Sequence, residues 1–227
     1  MKNLVILTGA GMSAESGIAT FRDSGGLWDK YPVEKVATPE GFAADPALVL
    51  EFYNTRREEL LKAVPNEGHR LLAELEKRFH ISIITQNVDS LHEKAGSTEV
   101  LHLHGELMKV QSTGDPSLIY DLTPEKYTVN LGDVCEKGCQ LRPYIVWFGE
   151  AVPKFEEAVI KARSADVFVI IGTSLNVYPA AGLVHYVPAD IPVYLIDPKE
   201  VTSPSNRSVV HIRKRASEGV AELSTLI

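Results

Sequence analysis

NLVILTGAGMSAESGIATF, the stretch from Asn3 to Phe21, decides how the rest of the chain is read. Leu4, Val5, Ile6 and Leu7 form an apolar run too short for a membrane span and closed at once by glycine. That is the pattern of a strand buried on both faces of a parallel sheet. Thr8-Gly9-Ala10-Gly11 then turns the chain, and Met12 to Gly17 opens a helix. Glycines let a backbone approach closely, and the orphan N–H groups of a helix start favour a phosphate. Gly9-x-Gly11-x-x-Ala14 fits the dinucleotide fingerprint with alanine in third place. No second strand ending in an acid follows at the spacing of an ordinary dehydrogenase. A polar, glycine-bearing loop, Phe21 to Trp28, follows instead and reads as a lid.

Further strands and helices alternate outward from this point. Thr38-Pro39 and Asp45-Pro46 are helix starts, the second launching a helix to about Lys62. Val49, Phe52, Tyr53, Arg56 and Leu60 share one face of it, which puts Arg56 on the apolar stripe and turns Arg57 away. A guanidinium facing the core demands an anionic or carbonyl partner, so Arg56 is either half of an internal ion pair or a ligand for an anion. Asn66 caps the next helix, whose core face is Leu71, Leu72, Leu75 and Phe79, with His69 expected on the surface. His80–Thr85 is a second buried strand ending in Gln86-Asn87-Val88-Asp89, at the sheet edge where ligands bind in open α/β folds. Asp89 also suits the cap of a short helix, Ser90 to Ala95.

Val100–His104 (VLHLH) alternates, pairing Leu101 with Leu103 and His102 with His104. A histidine there is a candidate general base, and spacing alone does not choose between the two. Residues 109–141 are polar and lack a long apolar period, so they read as a small inserted module. Pro143–Glu150 and Ala165–Ile171 return to strand character, the latter closed by Gly172-Thr173-Ser174. Val159–Ala165 completes a helix, Pro179–Tyr186 is a short one, and Pro192–Ile196 and Val209–Ile212 are late strands. Ala216–Ile227 closes the chain as an amphipathic helix through Val220, Leu223 and Leu226. The fold class is α/β: a Rossmann-like, mostly parallel sheet with helices on both faces, plus the small module.

The chain has 227 residues, 44% of them hydrophobic, enough to bury a full core. A net charge of −7 argues against nucleic acid or an anionic membrane surface as partner. The absence of a signal-like or membrane-spanning run points to the cytoplasm. Cys135 and Cys139 are the only cysteines, which excludes a disulfide scaffold. They supply at most half of a closed zinc site, and no second pair lies in the module.

Gly9-Ala10-Gly11-x-Ser13, Ser16-Gly17-Ile18 with Phe21-Arg22, Thr85-Gln86-Asn87-Val88-Asp89, Leu103-His104-Gly105, Val146-x-Phe148-Gly149-Glu150 and Gly172-Thr173-Ser174 occur in that order. Together they resemble the sirtuin family, NAD-dependent protein lysine deacylases, from Asn3 to about Glu218. Tyr53-x-x-Arg56 further resembles the subgroup that removes succinyl and malonyl groups. The resemblance implies one catalytic domain over 1–227, with a large part near 1–106 and 143–227. A small part near 107–142, joined by residues of about 20–65, completes it, and NAD and peptide meet in the cleft between the parts.

Carried over to this sequence, Gly9, Ala10, Gly11, Ser13, Phe21 and Arg22 contact the dinucleotide. Gln86, Asn87 and Asp89 line its nicotinamide and ribose end, and Gly172, Thr173, Ser174 and Ala216 complete the site. The resemblance makes His104 the catalytic base, assisted by Asn87 and Asp89. Tyr53 and Arg56 bind the acyl group, while Val146, Phe148, Gly149 and Val177 flank acyl-lysine, whose backbone adds as a strand. NAD is consumed, yielding nicotinamide and 2′-O-acyl-ADP-ribose. Two departures stand out. Ser112 occupies the place where the family's first zinc cysteine pair would begin, so structural zinc is not expected. Leu195-Ile196-Asp197 stands where many relatives place an asparagine. The rival readings are a general lysine deacetylase and an NAD-binding ADP-ribosyltransferase or sensor.

Overall fold

The computed structural model describes residues 1–18, 30–201 and 208–227. The chain divides into two compact units. The first comprises the described residues of Met1–Thr20, Val64–Leu103 and Val152–Ile227. The second comprises those of Phe21–Ala63 and His104–Ala151.

The first unit is built on six strands: β1 (Lys2–Thr8), β2 (Phe79–Thr85), β3 (Val100–His102), β7 (Val167–Ile171), β8 (Val193–Ile196) and β9 (Val210–Ile212). Their order is β3-β2-β1-β7-β8-β9, and every pairing is parallel. Alternation along each strand feeds two cores. Val5, Leu7, Ile84, Phe168 and Ile170 pack on one face with Ala158 and Ala162 of α6 (Phe155–Arg163). Leu4, Ile6, Ile83, Val167 and Val169 pack on the other with Leu72 of α4 (Glu67–Leu75) and Val220 of α7 (Ala216–Leu226). Because both faces are covered, the strands read as continuous apolar runs, and the expected Rossmann-like α/β architecture is what is found. The order reverses direction between β1 and β7, the topological switch point at which such sheets hold ligands.

The second unit holds a three-stranded antiparallel sheet, β5-β4-β6, made of β4 (Gly105–Ser112), β5 (Ile119–Asp121) and β6 (Leu141–Ile145). Three helices accompany it: α1 (Val33–Val36), α2 (Pro39–Ala44) and α3 (Pro46–Lys62). Leu50, Val110 and Val129 form one apolar cluster in it, with Phe42, Tyr120 and Leu141 packed around them, and Val49, Phe52, Tyr53, Leu60, Leu107 and Trp147 are buried as well. The anticipated caps are in place. Thr38 Oγ1 accepts the Gly41 N–H at 3.0 Å and Asp45 Oδ1 that of Leu48 at 3.0 Å. In the first unit, Asn66 Oδ1 accepts the His69 N–H at 3.3 Å to start α4.

Three local expectations are corrected. Met12–Gly17 does not begin a long helix: Ala10–Met12 and Ala14–Ser16 are two 3₁₀ turns, closed by Gly17 at φ 83°. Pro179–Tyr186 likewise holds a 3₁₀ segment, Ala180–Tyr186. His69 is buried rather than superficial, because its ring folds back so that Nδ1 accepts the Asn66 N–H at 3.3 Å, closing a capping box. Among the described residues, no helix is long and apolar enough to cross a membrane.

Candidate active site

The switch point of the first unit is made by three glycines that let two loops cross. Gly9 N–H donates to the Ile171 carbonyl at 2.9 Å and Gly11 N–H to the Gly172 carbonyl at 2.8 Å. A Cβ on Gly9 would lie 2.7 Å from Thr173 Cβ, and one on Gly11 2.6 Å from Gly172 Cα. Gly172 has φ 62°, and a Cβ there would meet Met12 N at 2.4 Å. The sequence reading gave phosphate approach as the reason for these glycines. In the structure the N–H groups of Gly9 and Gly11 fasten the β1 exit to the β7 exit, and close backbone crossing is the immediate reason. Ala10 and Ser174 are partly exposed beside this crossing.

Beneath it lies a buried polar layer. Asn87 Nδ2 donates to the Gly9 carbonyl at 3.0 Å and to Ser13 Oγ at 3.2 Å. Ser13 Oγ donates to Asp89 Oδ2 at 2.9 Å, and Leu91 N–H donates to Asp89 Oδ1 at 3.1 Å. Asp89 therefore accepts the first N–H of the short helix α5 (Leu91–Ala95), whose N-cap residue is Ser90, and serves this cluster as well. Burial raises its pKa, opposed by those two hydrogen bonds. Gln86 Nε2 donates to Thr173 Oγ1 at 3.1 Å, linking the ends of β2 and β7. Ala216 is buried at the start of α7, beside Gly68.

His102, set aside as the base, supports this layer. Its Nδ1 is 3.1 Å from the Asn87 carbonyl and its Nε2 2.6 Å from Glu93 Oε1. Both ring nitrogens are thereby engaged inside the first unit. His69 and His92 lie alongside, their rings 4.8 Å apart edge to face. Burial depresses both, His69 to about 4 and His92 well below its ordinary value. Nothing in the sequence marked His69 or His92 for this layer, because partners from separate elements bury them.

In the second unit, His104 is half-buried at the head of β4 and its carbonyl accepts the Val146 N–H at 2.9 Å. Gly105 makes that junction possible: its φ is 83°, and a Cβ would lie 2.0 Å from the Tyr144 carbonyl oxygen. The expected base and the expected peptide-flanking strand are thus neighbours. Phe148 is 48% exposed, its N–H bonded to the Ala37 carbonyl at 3.0 Å, and Gly149 turns the chain at φ 92°. Val177, in the first unit, is also exposed. Phe21 and Arg22, with the expected lid, lie outside the described residues.

The helix α3 requires a correction. Arg57 does not turn away: it is fully buried, with Nε donating to the Leu107 carbonyl at 2.7 Å and Nη1 to Asn54 Oδ1 at 2.9 Å. Burial lowers its pKa to about 10. The buried arc of α3 is wide, and the two arginines flank its centre at Tyr53 and Leu60. Arg56 is half-buried, its guanidinium carbon 5.9 Å from the centre of the Phe52 ring. Tyr53 is buried, and its hydroxyl accepts the Trp147 indole N–H at 2.9 Å. Burial raises the Tyr53 pKa, opposed chiefly by the neighbouring Arg56 charge, so the phenol keeps its proton at neutral pH. Trp147 was passed over in the sequence, although it sits inside the Val146–Glu150 motif. A cavity of about 530 Å³ on this unit, lined by Glu51, Asn54, Thr55 and Tyr127 among others, contains none of the candidate residues.

Where zinc cysteines would begin, Ser112 Oγ lies 3.2 Å from Cys135 Sγ and accepts the N–H groups of Gly114 and Asp115, each at 3.2 Å. Asp115 is paired with Lys137 at 2.6 Å. Among the described residues, no group of three or more His, Cys, Asp or Glu side chains is arranged to hold a metal ion.

A parallel doubly wound sheet with a glycine crossing and a buried amide–carboxylate layer at its switch point defines a nucleotide-binding class of α/β protein. The chain belongs to the Sir2 family, whose model matches residues 9–179. It is 66% identical over 230 residues to the NAD-dependent protein deacylase of Bacteroides thetaiotaomicron, covering 100% of this chain and 98% of the relative. It is 51% identical over 223 residues to the Helicobacter pylori protein of the same description, covering 98% and 94%. A solved Sir2 homologue in complex with NAD superimposes with a TM-score of 0.87 at 41% identity, covering 99% of this chain and 89% of that one.

Proposed function

We propose that this protein removes acyl groups from protein lysine with consumption of NAD, and that it prefers acidic acyl groups, succinyl and malonyl, over acetyl. The observation that carries the cofactor assignment is the close backbone crossing of Gly9, Gly11 and Gly172 at the switch point, with Asn87 and Asp89 joined to it through Gly9 and Ser13. The similarity to relatives described as NAD-dependent deacylases supports the same reading. NAD, when bound, would supply the ribose carbon from which nicotinamide departs and the ribose hydroxyl that receives the acyl group, with water completing the release of free lysine.

The chain's own residues do the rest. Gly9, Ala10, Gly11, Ser13, Gly172, Thr173 and Ser174 bind the dinucleotide, with Phe21, Arg22 and Ala216 completing the contacts. Asn87, whose amide nitrogen donates to Gly9 and Ser13, assists at the nicotinamide and ribose end. Asp89 and Gln86 hold that end, and Ser13 fixes the Asp89 carboxyl. His104 takes a proton on its ring from a ribose hydroxyl as general base. Val146, Phe148, Gly149 and Val177 hold the acyl-lysine backbone and stem. Tyr53, a protonated donor, and Arg56, one turn further along α3, receive the terminal carboxylate.

The test is incubation with NAD and matched acetyl-, succinyl- and malonyl-lysine peptides, followed by mass spectrometry of every product. Acyl-ADP-ribose and free lysine in equal amounts, formed faster from the acidic peptides, is the expected result. ADP-ribose mass on protein, or no NAD turnover, would overturn the assignment.

A further inference from the structure

We propose that Trp147 sets acyl selectivity by dictating the direction in which the Tyr53 phenol donates. It acts as a positioning residue and touches no substrate. The inference rests on the acidic-acyl reading above. Trp147 Nε1–H donates to Tyr53 Oη at 2.9 Å, and both side chains are at most 2% exposed, so bulk water does not compete. An oxygen that accepts an N–H on one lone pair directs its own hydrogen away from that donor. Among the described residues, no acceptor takes that hydrogen. The phenol is thereby held as a donor in one direction, which a carboxylate can use and a methyl group cannot.

The indole is in turn locked in place. The Arg142 guanidinium lies 3.5 Å from the indole centre, and the Phe42 ring packs 5.3 Å away. Glu150 grips Arg142 through two bonds, at 2.7 and 3.0 Å, and accepts the Trp147 backbone N–H at 2.8 Å. Arg142 Nη2 also donates to the Ile145 carbonyl at 2.9 Å. Freedom to swing Nε1 off the phenol is restricted by these ring contacts and by the bond that holds the Trp147 backbone.

The experiment compares succinyl- and acetyl-lysine kinetics for the unaltered enzyme, Trp147→Phe, Tyr53→Phe and the double variant. Trp147→Phe should lower the succinyl-to-acetyl ratio of kcat/KM about tenfold, mostly through the succinyl KM, because one oriented donor is lost. In the Tyr53→Phe background the same change should add less than about twofold, because the two act as one unit. Should Trp147→Phe fail to fold, replacing Trp147 by β-(3-benzothienyl)alanine removes only the N–H and keeps the ring. Equal losses on both substrates, or additive effects in the double variant, overturn the role of Trp147 while leaving the acidic preference standing. An unaltered enzyme that shows no succinyl preference overturns the broader reading and this inference with it.

Discussion

His102 and His104 are two residues apart and stand in different surroundings, and the proposed reaction gives the role of base to His104. The ring of His102 is committed on both nitrogens, to the Asn87 carbonyl and to Glu93, inside the first unit. His104 stands at the head of β4, its carbonyl tied to Val146 and its ring half-buried. His104→Ala should therefore lower deacylation by about 10²- to 10⁴-fold while leaving NAD affinity by calorimetry within a few fold. Comparable loss of NAD binding would make His104 a binding residue and vacate the role of base. His69 makes a different prediction. Its folded pKa is about 4 against 6.5 for the free side chain, so above pH 6.5 neither state binds the proton and the folded state bears no penalty. As pH falls from 6.5 toward 4 the unfolded chain takes up a proton that the folded chain refuses, and stability is lost, by up to about 3 kcal/mol. His92, depressed in the same direction, adds to the slope. Thermal unfolding followed from pH 7 to 5 should show a falling Tm, and His69→Gln should flatten the dependence. A slope unchanged in that variant would assign the effect to other groups.

The turns that follow β7 and β1 hold two kinds of glycine. Gly172 combines φ 62° with a backbone nitrogen 2.4 Å from where a Cβ would stand, whereas Gly17 has φ 83° and open space around it. Gly172→Ala should cost about 3 kcal/mol or more, since strain and overlap both apply, and should abolish NAD binding. Gly17→Ala should cost only about 1 kcal/mol, the left-handed backbone alone. Urea unfolding of the two variants checks this, and equal losses would remove the crossing from the argument. Along α3 the caps were legible because Asp45 and Pro46 act through neighbouring atoms. The arginines were only half legible. Both flank the stripe through Val49, Tyr53 and Leu60, and only the Leu107 carbonyl, from β4, decides that Arg57 is the buried one. Arg56 is half-buried, and under the proposed acidic preference Arg56→Met should reduce desuccinylation by roughly 30-fold or more and deacetylation far less. Parallel loss on the two peptides would make Arg56 structural.

Across the whole molecule, legibility follows how local the decisive contacts are. The six-stranded sheet was readable because strands buried on both faces announce themselves as apolar runs and parallel pairing forces alternation with helices. The sheet of the second unit was less so, because β4 and β5 mix polar with apolar residues and one of its apolar clusters joins Leu50 to Val110 and Val129, residues far apart in sequence. Polar fastenings also hold this unit, and the question is whether one of them, around Ser112, is a metal. Ser112 supplies a hydroxyl that already serves Cys135 Sγ and the N–H groups of Gly114 and Asp115. The Asp115 carboxylate is engaged by Lys137 and Ser117, which hold its pKa down at about 2. Two thiols with a neutral hydroxyl make a weak donor set for zinc, which in a closed site takes four ligands, mostly thiolate and imidazole. Purified protein should hold far less than one zinc per chain, and dialysis against EDTA should leave its Tm unchanged. Ser112→Ala, which strands one thiol and two backbone donors, should instead lower stability by about 1–3 kcal/mol. Stoichiometric zinc, or a Tm that collapses on chelation, would show that the fastening is metallic and that Ser112 has been misread.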